Sequence, residues 1–478
     1  MSHHLPASHL SSTPRPTPGP SHVRTIWDGE ADVDPASLRP PPEPEPEPEP
    51  SRWTKNAAFG PSGDPRRVTG LDAARGMALL GMVAVHTLPA YNEVTDGPTL
   101  VWSLFAGHAA VLFGVLAGIT VAILTGGTTP HHGRALRRSR VSLTMRAVAI
   151  LTLGLALSEL DPAIYNILPF YGLLFLLAVP LTRLRIRGLL VCAALCATVG
   201  PVLIFLTSRW NGYTALDNPG FSTFITMPTD TVLTLLVGGA YPVVTWMSYI
   251  CLGMAVGRMN LRWLVTQIRL LVYGGITAAL GYGISAYLID YAGGFARLYE
   301  LTGGMDADDI QAVLNYGPEG HLPTDTWWWL TTSGPHSNTF FAVAASGGLA
   351  LLTIGAFLLI TRTLNDLCTP LIATGSMTLT LYTTHLLFLT ALGDNVEEHS
   401  SMYFLVQVVV ILLFATAWSL ARGRGPLEEV LTRLSRGCGQ LLVPVKNTGG
   451  DRSDSDDSAR TAQESHSHTT VRPENEVS

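Results

Sequence analysis

The sequence predicts an all-α, polytopic transmembrane helical bundle of about ten spans, with a disordered tail at each end. Three observations carry this expectation. Only 14% of the 478 residues are charged and 47% are hydrophobic, against about 25% charged in soluble domains. Between residues 70 and 420 apolar runs follow one another, several near the ~20 residues that cross a bilayer. Charge and proline collect outside that region, in "PPPEPEPEPEP" near the start and "DRSDSDDSARTAQES" near the end. Such stretches bury too little apolar surface to order themselves. The expected division is therefore a tail over 1–66, a membrane domain over 67–437 and a second tail over 438–478. The first tail lacks the apolar core of a cleaved signal peptide.

Ten runs read as spans: 70–90, 101–124, 144–160, 164–183, 188–207, 241–258, 270–289, 339–361, 371–393 and 402–421. The stretch 230–240 reads as an interfacial or re-entrant piece. Prolines within spans are tolerated because neighbouring helices satisfy the freed backbone groups. Arg134, Arg137, Arg138 and Arg140 follow span two, and "RLRIR" follows span four. Arg258 and Arg262 follow span six, Arg362 span eight and "ARGRG" span ten. The other side carries Arg209 and Arg297 although it holds the two longest loops. This bias predicts that both termini are cytoplasmic.

Several classes of partner are not expected. The sequence has no arginine–glycine repeat and no basic stripe with interleaved aromatics, so nucleic acid is not an expected partner. Its five cysteines form no CxxC pair, which argues against a disulfide framework or a zinc site.

The first span, "LDAARGMALLGMVAVH", carries Asp72, Arg75 and His86. Ionisable groups at membrane depth mark working sites more often than not. His86 lies eleven positions after Arg75, and eleven steps of ~100° return to within ~20° of the same face. The two groups are then ~16 Å apart along the helix. Asp72 lies one turn before Arg75 and can pair with it. The bland alternative is an interfacial clamp plus a packed histidine.

Span two, "FAGHAAVLFGVLAGITVAI", carries His108 and a GxxxG pair at Gly114 and Gly118, which suits close helix contact. Span nine, "TGSMTLTLYTTHLLFL", sets Thr378, Tyr382 and His385 on one face. Each of these histidines reads alone as a satisfied interhelical bond. Together they put three imidazoles at one depth, suited to general acid–base work near neutral pH. No HxxxH or HxxE spacing accompanies them, so no metal is expected.

Arg146 and the loop arginines before it read either as positive-inside topology or as a phosphate-binding mouth. No P-loop or GxGxxG accompanies them, which argues against a nucleoside triphosphate. Trp327, Trp328 and Trp329 read as an aromatic belt or a sugar platform. Asp161, Asn166 and Tyr171 read equally as polar cavity groups or as turn and cap residues.

The opening helix resembles the first helix of the transmembrane acyltransferase superfamily. "GHAAVLFGVLAGITVAI" is similar to the second helix of its heparan-alpha-glucosaminide N-acetyltransferase-like and YeiB-like branch. "ILPFYGLLFLLAVPL", "GSMTLTLYTTHLL" and "RGRGPLEEVL" resemble YeiB-like proteins. The Arg-x10-His spacing resembles type 3 acyltransferases. This resemblance implies that an acyl group from cytoplasmic acyl-CoA (acetyl-CoA) reaches an envelope carbohydrate or lipid-linked sugar at the outer face. It implies a donor side at Arg75, with Asp72 and Arg146, and an acyl-transfer point at His86 or His108. Residues 87–100 contain no histidine, where the heparan acetyltransferases keep their catalytic one. Arginine is the residue expected in this branch where His108 stands. The choice between His86 and His108 stays open.

Two classes of function follow. One is an O- or N-acyltransferase of the bacterial cell membrane, in contact with lipid and leaving room for a homodimer. The other is a transporter or non-catalytic membrane protein, for which inverted repeats are the expected sign. No convincing internal repeat is legible.

Overall fold

The computed structural model describes residues 67–211, 215–393 and 399–442. The tail predicted over 1–66 and residues 443–478 of the second lie outside the described residues. The last helix continues to Leu442, a few residues past the expected end of the membrane domain at 437.

The described chain is helical, with one two-residue antiparallel ladder pairing Tyr91–Asn92 with Gly97–Pro98. In order the helices are α1 (Thr69–Thr87), α2 (Leu100–Phe105), α3 (His108–Leu124), α4 (Gly133–Ser158), α5 (Leu168–Leu181) and α6 (Ile186–Asn211). Then come α7 (Phe221–Thr226), α8 (Pro228–Val237), α9 (Val243–Gly257), α10 (Leu264–Ala286), α11 (Gly294–Leu301) and α12 (Ala307–Tyr316). The last five are α13 (Phe340–Thr363), α14 (Thr369–Gly375), α15 (Thr378–Leu392), α16 (Ser400–Ala421) and α17 (Pro426–Leu442).

Six helical stretches among the described residues are long and apolar enough to cross a membrane: Leu100–Leu124, Gly133–Ser158, Ile186–Trp210, Leu264–Tyr291, Phe340–Thr363 and Ser400–Ala421. They correspond to six of the ten predicted spans. Spans four, six and nine are shorter apolar helices, and the piece before span six is α8. The first span, α1, is not among either group, because Asp72, Arg75 and His86 dilute its apolar residues. Span two breaks at Gly107, whose φ of 71° admits glycine readily. Span nine breaks between Gly375 and Thr378.

Helices in lipid gain little from hydrophobic exclusion, so small residues and close packing hold them together. The expected GxxxG contact is present at Gly118, where an added methyl would meet the backbone of Ile250 and Gly253 on α9. Gly375 of α14 abuts the Asp72 carbonyl on α1 in the same way. These approaches place α1 centrally, packed by α3, α13, α14 and α16. Leu79, Leu116, Ile119, Leu174, Ile250 and Met254 form the fully buried centre of the bundle.

Two polar clasps tie the helix ends. Arg258, after α9, was expected as a loop cation but is buried. It donates to the carbonyls of Ala122, Gly127 and Thr182 and to the Thr125 hydroxyl, at 2.9–3.3 Å. The ends of α3 and α5 present carbonyls there that have capacity for a further donor, and one guanidinium gathers them. On the neighbouring pair, Arg362 of α13 donates to Gln267 Oε1 of α10 at 2.7 Å.

A second, smaller core forms between α10 and α13 from Ile289, Leu298, Ile310, Leu322 and Trp329. The acidic stretch "MDADD" opens α12, with Asp306 capping the Asp308 and Asp309 amides. The tryptophan triplet divides its work. Trp329 is core and bonds Thr302, Trp328 faces Arg297, and half-exposed Trp327 stacks on Phe205.

Candidate functional site

A cavity of about 250 Å³ opens inside the bundle, walled by α1, α3, α4, α5 and α15. Most of its lining is apolar, including Met82, Phe113, Leu116, Ile150, Phe175 and Leu379. One end carries Arg67, Asp72, Arg75, Thr120, Arg146 and Glu428, and Tyr171, Thr378 and Tyr382 lie along the wall. A wider vestibule of about 1100 Å³ shares this arginine end, and Arg422, Arg424 and Arg436 join its rim. Six arginines there face three carboxylates, Asp72, Glu428 and Glu429. The combination is a cationic mouth leading into an apolar chamber.

Each polar group at that mouth is held differently. Asp72, near the start of α1, accepts from Arg67 at 2.5 Å and from Arg75 at 2.6 Å, the second being the pair expected from the sequence. The other arm of Arg75 donates to Thr120 Oγ1 on α3 at 2.6 Å, which fixes the guanidinium on the chamber wall. Glu428 accepts from the Leu379 and Thr380 amides and from the Thr380 hydroxyl at 2.6–3.2 Å. It thereby caps the orphan N–H groups at the start of α15. Glu429 is engaged by Arg433, whose hydrogen bond at 2.8 Å holds that carboxyl below the usual range.

Arg146 stands apart. It lines both cavities, yet it forms no hydrogen bond or ion pair with the described residues. Of the arginine cluster read at 134–146, only Arg146 reaches either cavity. Arg134 and Arg137 are exposed, and Arg140 binds Thr182 and the Pro180 carbonyl. The reason is helical phase. α4 begins at Gly133, so these residues lie on successive faces and one of them turns inward.

The three expected histidines do not line the chamber. They form two separate bridges at the opposite end of α1. His86 Nδ1 and His385 Nε2 are 3.1 Å apart, with rings inclined by 9° and centroids 5.4 Å apart. That is the geometry of an edge-to-edge N–H···N bond. His385 Nδ1 in turn lies 2.6 Å from Gln407 Oε1 on α16. Since a carbonyl oxygen only accepts, Nδ1 of His385 carries its proton and Nε2 accepts from His86. His86 Nε2 is then left with a lone pair and has no bond to a described residue.

His108 bridges α3, α10 and α13, with the Tyr282 hydroxyl 2.7 Å from Nε2 and the Ser346 hydroxyl 3.0 Å from Nδ1. Both of its nitrogens are engaged.

The chamber and the first bridge adjoin. Met82 and Tyr382 line the chamber, and His86 and His385 follow them by four and three residues, one helical turn. The shared face of Thr378, Tyr382 and His385 thus runs from chamber to histidine pair. Tyr171 donates to the Ala110 carbonyl, and Tyr382 accepts from the Ile167 amide. Asn166 acts as a turn residue, with its side chain bonded to Gly154, Ser158 and Leu168.

Sequence reading missed Arg67, Thr120, Glu428 and Gln407. Glu428 sits in "RGRGPLEEVL", but nothing local says which helix end it caps. Gln407 interrupts the apolar run of span ten and was the one legible signal. A fourth imidazole, His336, also sits at this end, with φ of 54° and Nδ1 buried without a partner. Burial holds it below the usual histidine range. Among the described residues no group of three His, Cys, Asp or Glu could hold a metal ion.

No curated protein matches the chain. Residues 67–282, running from Arg67 through most of α10, match the family described as Heparan-alpha-glucosaminide N-acetyltransferase, catalytic. His385, Gln407 and Glu428 lie outside that stretch. The match supports a place for this multi-pass membrane protein among the heparan-alpha-glucosaminide N-acetyltransferase-like proteins.

Proposed function

We propose that the chain transfers an acetyl or other short acyl group from acyl-CoA to a hydroxyl or amine of an envelope carbohydrate or lipid-linked sugar. The observation that carries this reading is Arg146, which makes no hydrogen bond or ion pair with a described residue and stands beside Arg75 at the mouth of an apolar chamber. Buried cations are retained where an anion completes them. A phosphate-bearing head with an extended, weakly polar arm fits that mouth and chamber in sequence. Acyl-CoA has this form, and the acetyltransferase family match supports it as donor. No metal enters the proposed chemistry.

Asp72 and Thr120 aim Arg75, and with Arg146 it holds the donor phosphates. Tyr171, Thr378 and Tyr382 line the path of the thioester arm. At its inner end His86 Nε2 takes the proton from the acceptor as its oxygen or nitrogen bonds to the thioester carbonyl carbon. The carbon–sulfur bond breaks, and the proton on His86 passes to the departing thiolate. His86 is preferred to His108 as base because both nitrogens of His108 are already engaged. Met82 and Tyr382 stand between chamber and base, so transfer requires their side chains to turn aside.

The arginine bias predicts that the mouth faces the cytoplasm of a bacterial cell and the histidines its exterior. The test uses full-length protein in nanodiscs. Wild type binds CoA by calorimetry and moves label from [14C]acetyl-CoA into envelope glycans, whereas Arg146→Ala binds CoA more weakly. Equal CoA affinity in the two proteins overturns the donor site. CoA binding accompanied by solute flux and no acetyl transfer favours the transporter alternative.

A further inference from the structure

We infer that Gln407 is a positioning residue, whose amide oxygen sets the proton arrangement of the His385–His86 pair so that His86 Nε2 is the base. This rests on the acyl-transfer reading above and names a part of its machinery that neither the sequence motifs nor the family match includes.

Three observations converge on it. First, α16 is largely exposed and apolar, with Leu405, Val406, Val409, Val410 and Leu413 turned outward. Its buried stripe is Gln407, Ile411, Ala415 and Ser419. A leucine at 407 would suit that stripe at no polar cost. Second, Gln407 Nε2 is buried and bonded to no described residue, so the amide is kept at the expense of an unpaired donor. Only its oxygen is in use, at 2.6 Å from His385 Nδ1. Third, the chain of contacts has one direction. The oxygen accepts from His385 Nδ1–H, His385 Nε2 accepts from His86 Nδ1–H, and the free lone pair appears at His86 Nε2. An amide nitrogen facing His385 would reverse every step and leave His86 presenting a proton instead. Among the described residues, His336 is a further titratable group whose charge reaches His86.

The experiment measures acetyl transfer from acetyl-CoA into envelope glycans across pH. Full-length wild type, Gln407→Leu, Gln407→Glu and His86→Ala are compared in nanodiscs, with CoA affinity measured as a check on folding. Gln407→Leu is expected to lower kcat between about 10- and 100-fold with KM for acetyl-CoA unchanged. Gln407→Glu keeps an acceptor on His385 Nδ1, so it retains most turnover. Its added negative charge strengthens proton binding by the pair and moves the rising limb of the pH profile to higher pH. Wild-type rate and pH profile in Gln407→Leu overturn the inference. So does a loss in Gln407→Glu as large as in Gln407→Leu, since the amide nitrogen would then be the group in contact. If wild type transfers nothing, the acyl-transfer reading fails and takes this inference with it; if His86→Ala transfers normally, the acyl-transfer reading stands but His86 is not the base and this inference fails. An active wild type, an inactive His86→Ala and an unchanged Gln407→Leu sink the inference alone.

Discussion

Arg146 and Arg258 are the same residue type, both drawn in from the edge of one bundle, and their surroundings are opposite. Arg258 closes on the carbonyl-rich ends of α3 and α5 and donates to four protein oxygens at 2.9–3.3 Å. Arg146 reaches the chamber mouth and makes no bond to a described residue. The histidine end repeats the contrast. His108 has a hydroxyl on each nitrogen, whereas His86 spends one nitrogen on His385 and leaves the other without a bond to a described residue. Within a membrane domain the saturated group is explained by folding alone. The unsaturated one needs a ligand or a reaction to account for it.

Five substitutions at four residues break or sharpen this contrast, taken from the largest expected effect to the smallest. His86→Ala should lower acetyl transfer by at least about 100-fold, the lower end of what a general base contributes, with CoA affinity unchanged by calorimetry. An equal loss in His108→Ala, at unchanged stability, would dissolve the distinction between the two bridges. Arg146→Ala should weaken CoA binding between about 10- and 100-fold, as expected for one charge-assisted contact. Arg146→Lys should recover part of that loss, since charge returns without the planar fork.

Arg258→Ala should leave CoA affinity intact and lower the unfolding midpoint instead. It removes the donor shared by the Gly127 and Thr182 carbonyls and the Thr125 hydroxyl, a cost on the order of 2–3 kcal/mol. Unchanged thermal stability with weakened CoA binding would reverse the roles given to the two arginines. Finally, His108→Ala should cost some stability and change the rate by less than about threefold. Its two partners are hydroxyls, which rotate to other acceptors or to water more cheaply than carbonyls do.

The sequence made much of this legible. Asp72 and Arg75 pair because three residues on a helix is one turn, and Gly118 meets α9 because glycine permits close backbones. Thr378, Tyr382 and His385 share a face as their spacing requires. Other readings needed correction. Of the loop arginines expected beside Arg146, Arg134 and Arg137 are exposed and Arg140 is bound elsewhere, since helical phase turns one residue inward and its neighbours out. Trp329 is core rather than belt. Arg258 reads in sequence as an ordinary positive-inside residue, because its four acceptors lie on segments 76 to 136 residues away.

The sequence by itself determined the helical class, the approximate limits of the spans and the face each polar residue occupies. Those are consequences of local hydropathy and of a fixed 100° step per residue. Only the tertiary structure decided which faces meet. It brought His385 to His86 across 299 residues and Gln407 to His385 across 22. It set Glu428 on the start of α15 and brought Arg146 to the chamber mouth without a bond to a described residue. Pairing between helices depends on shape and close packing along their whole lengths, and no local pattern in the chain encodes it.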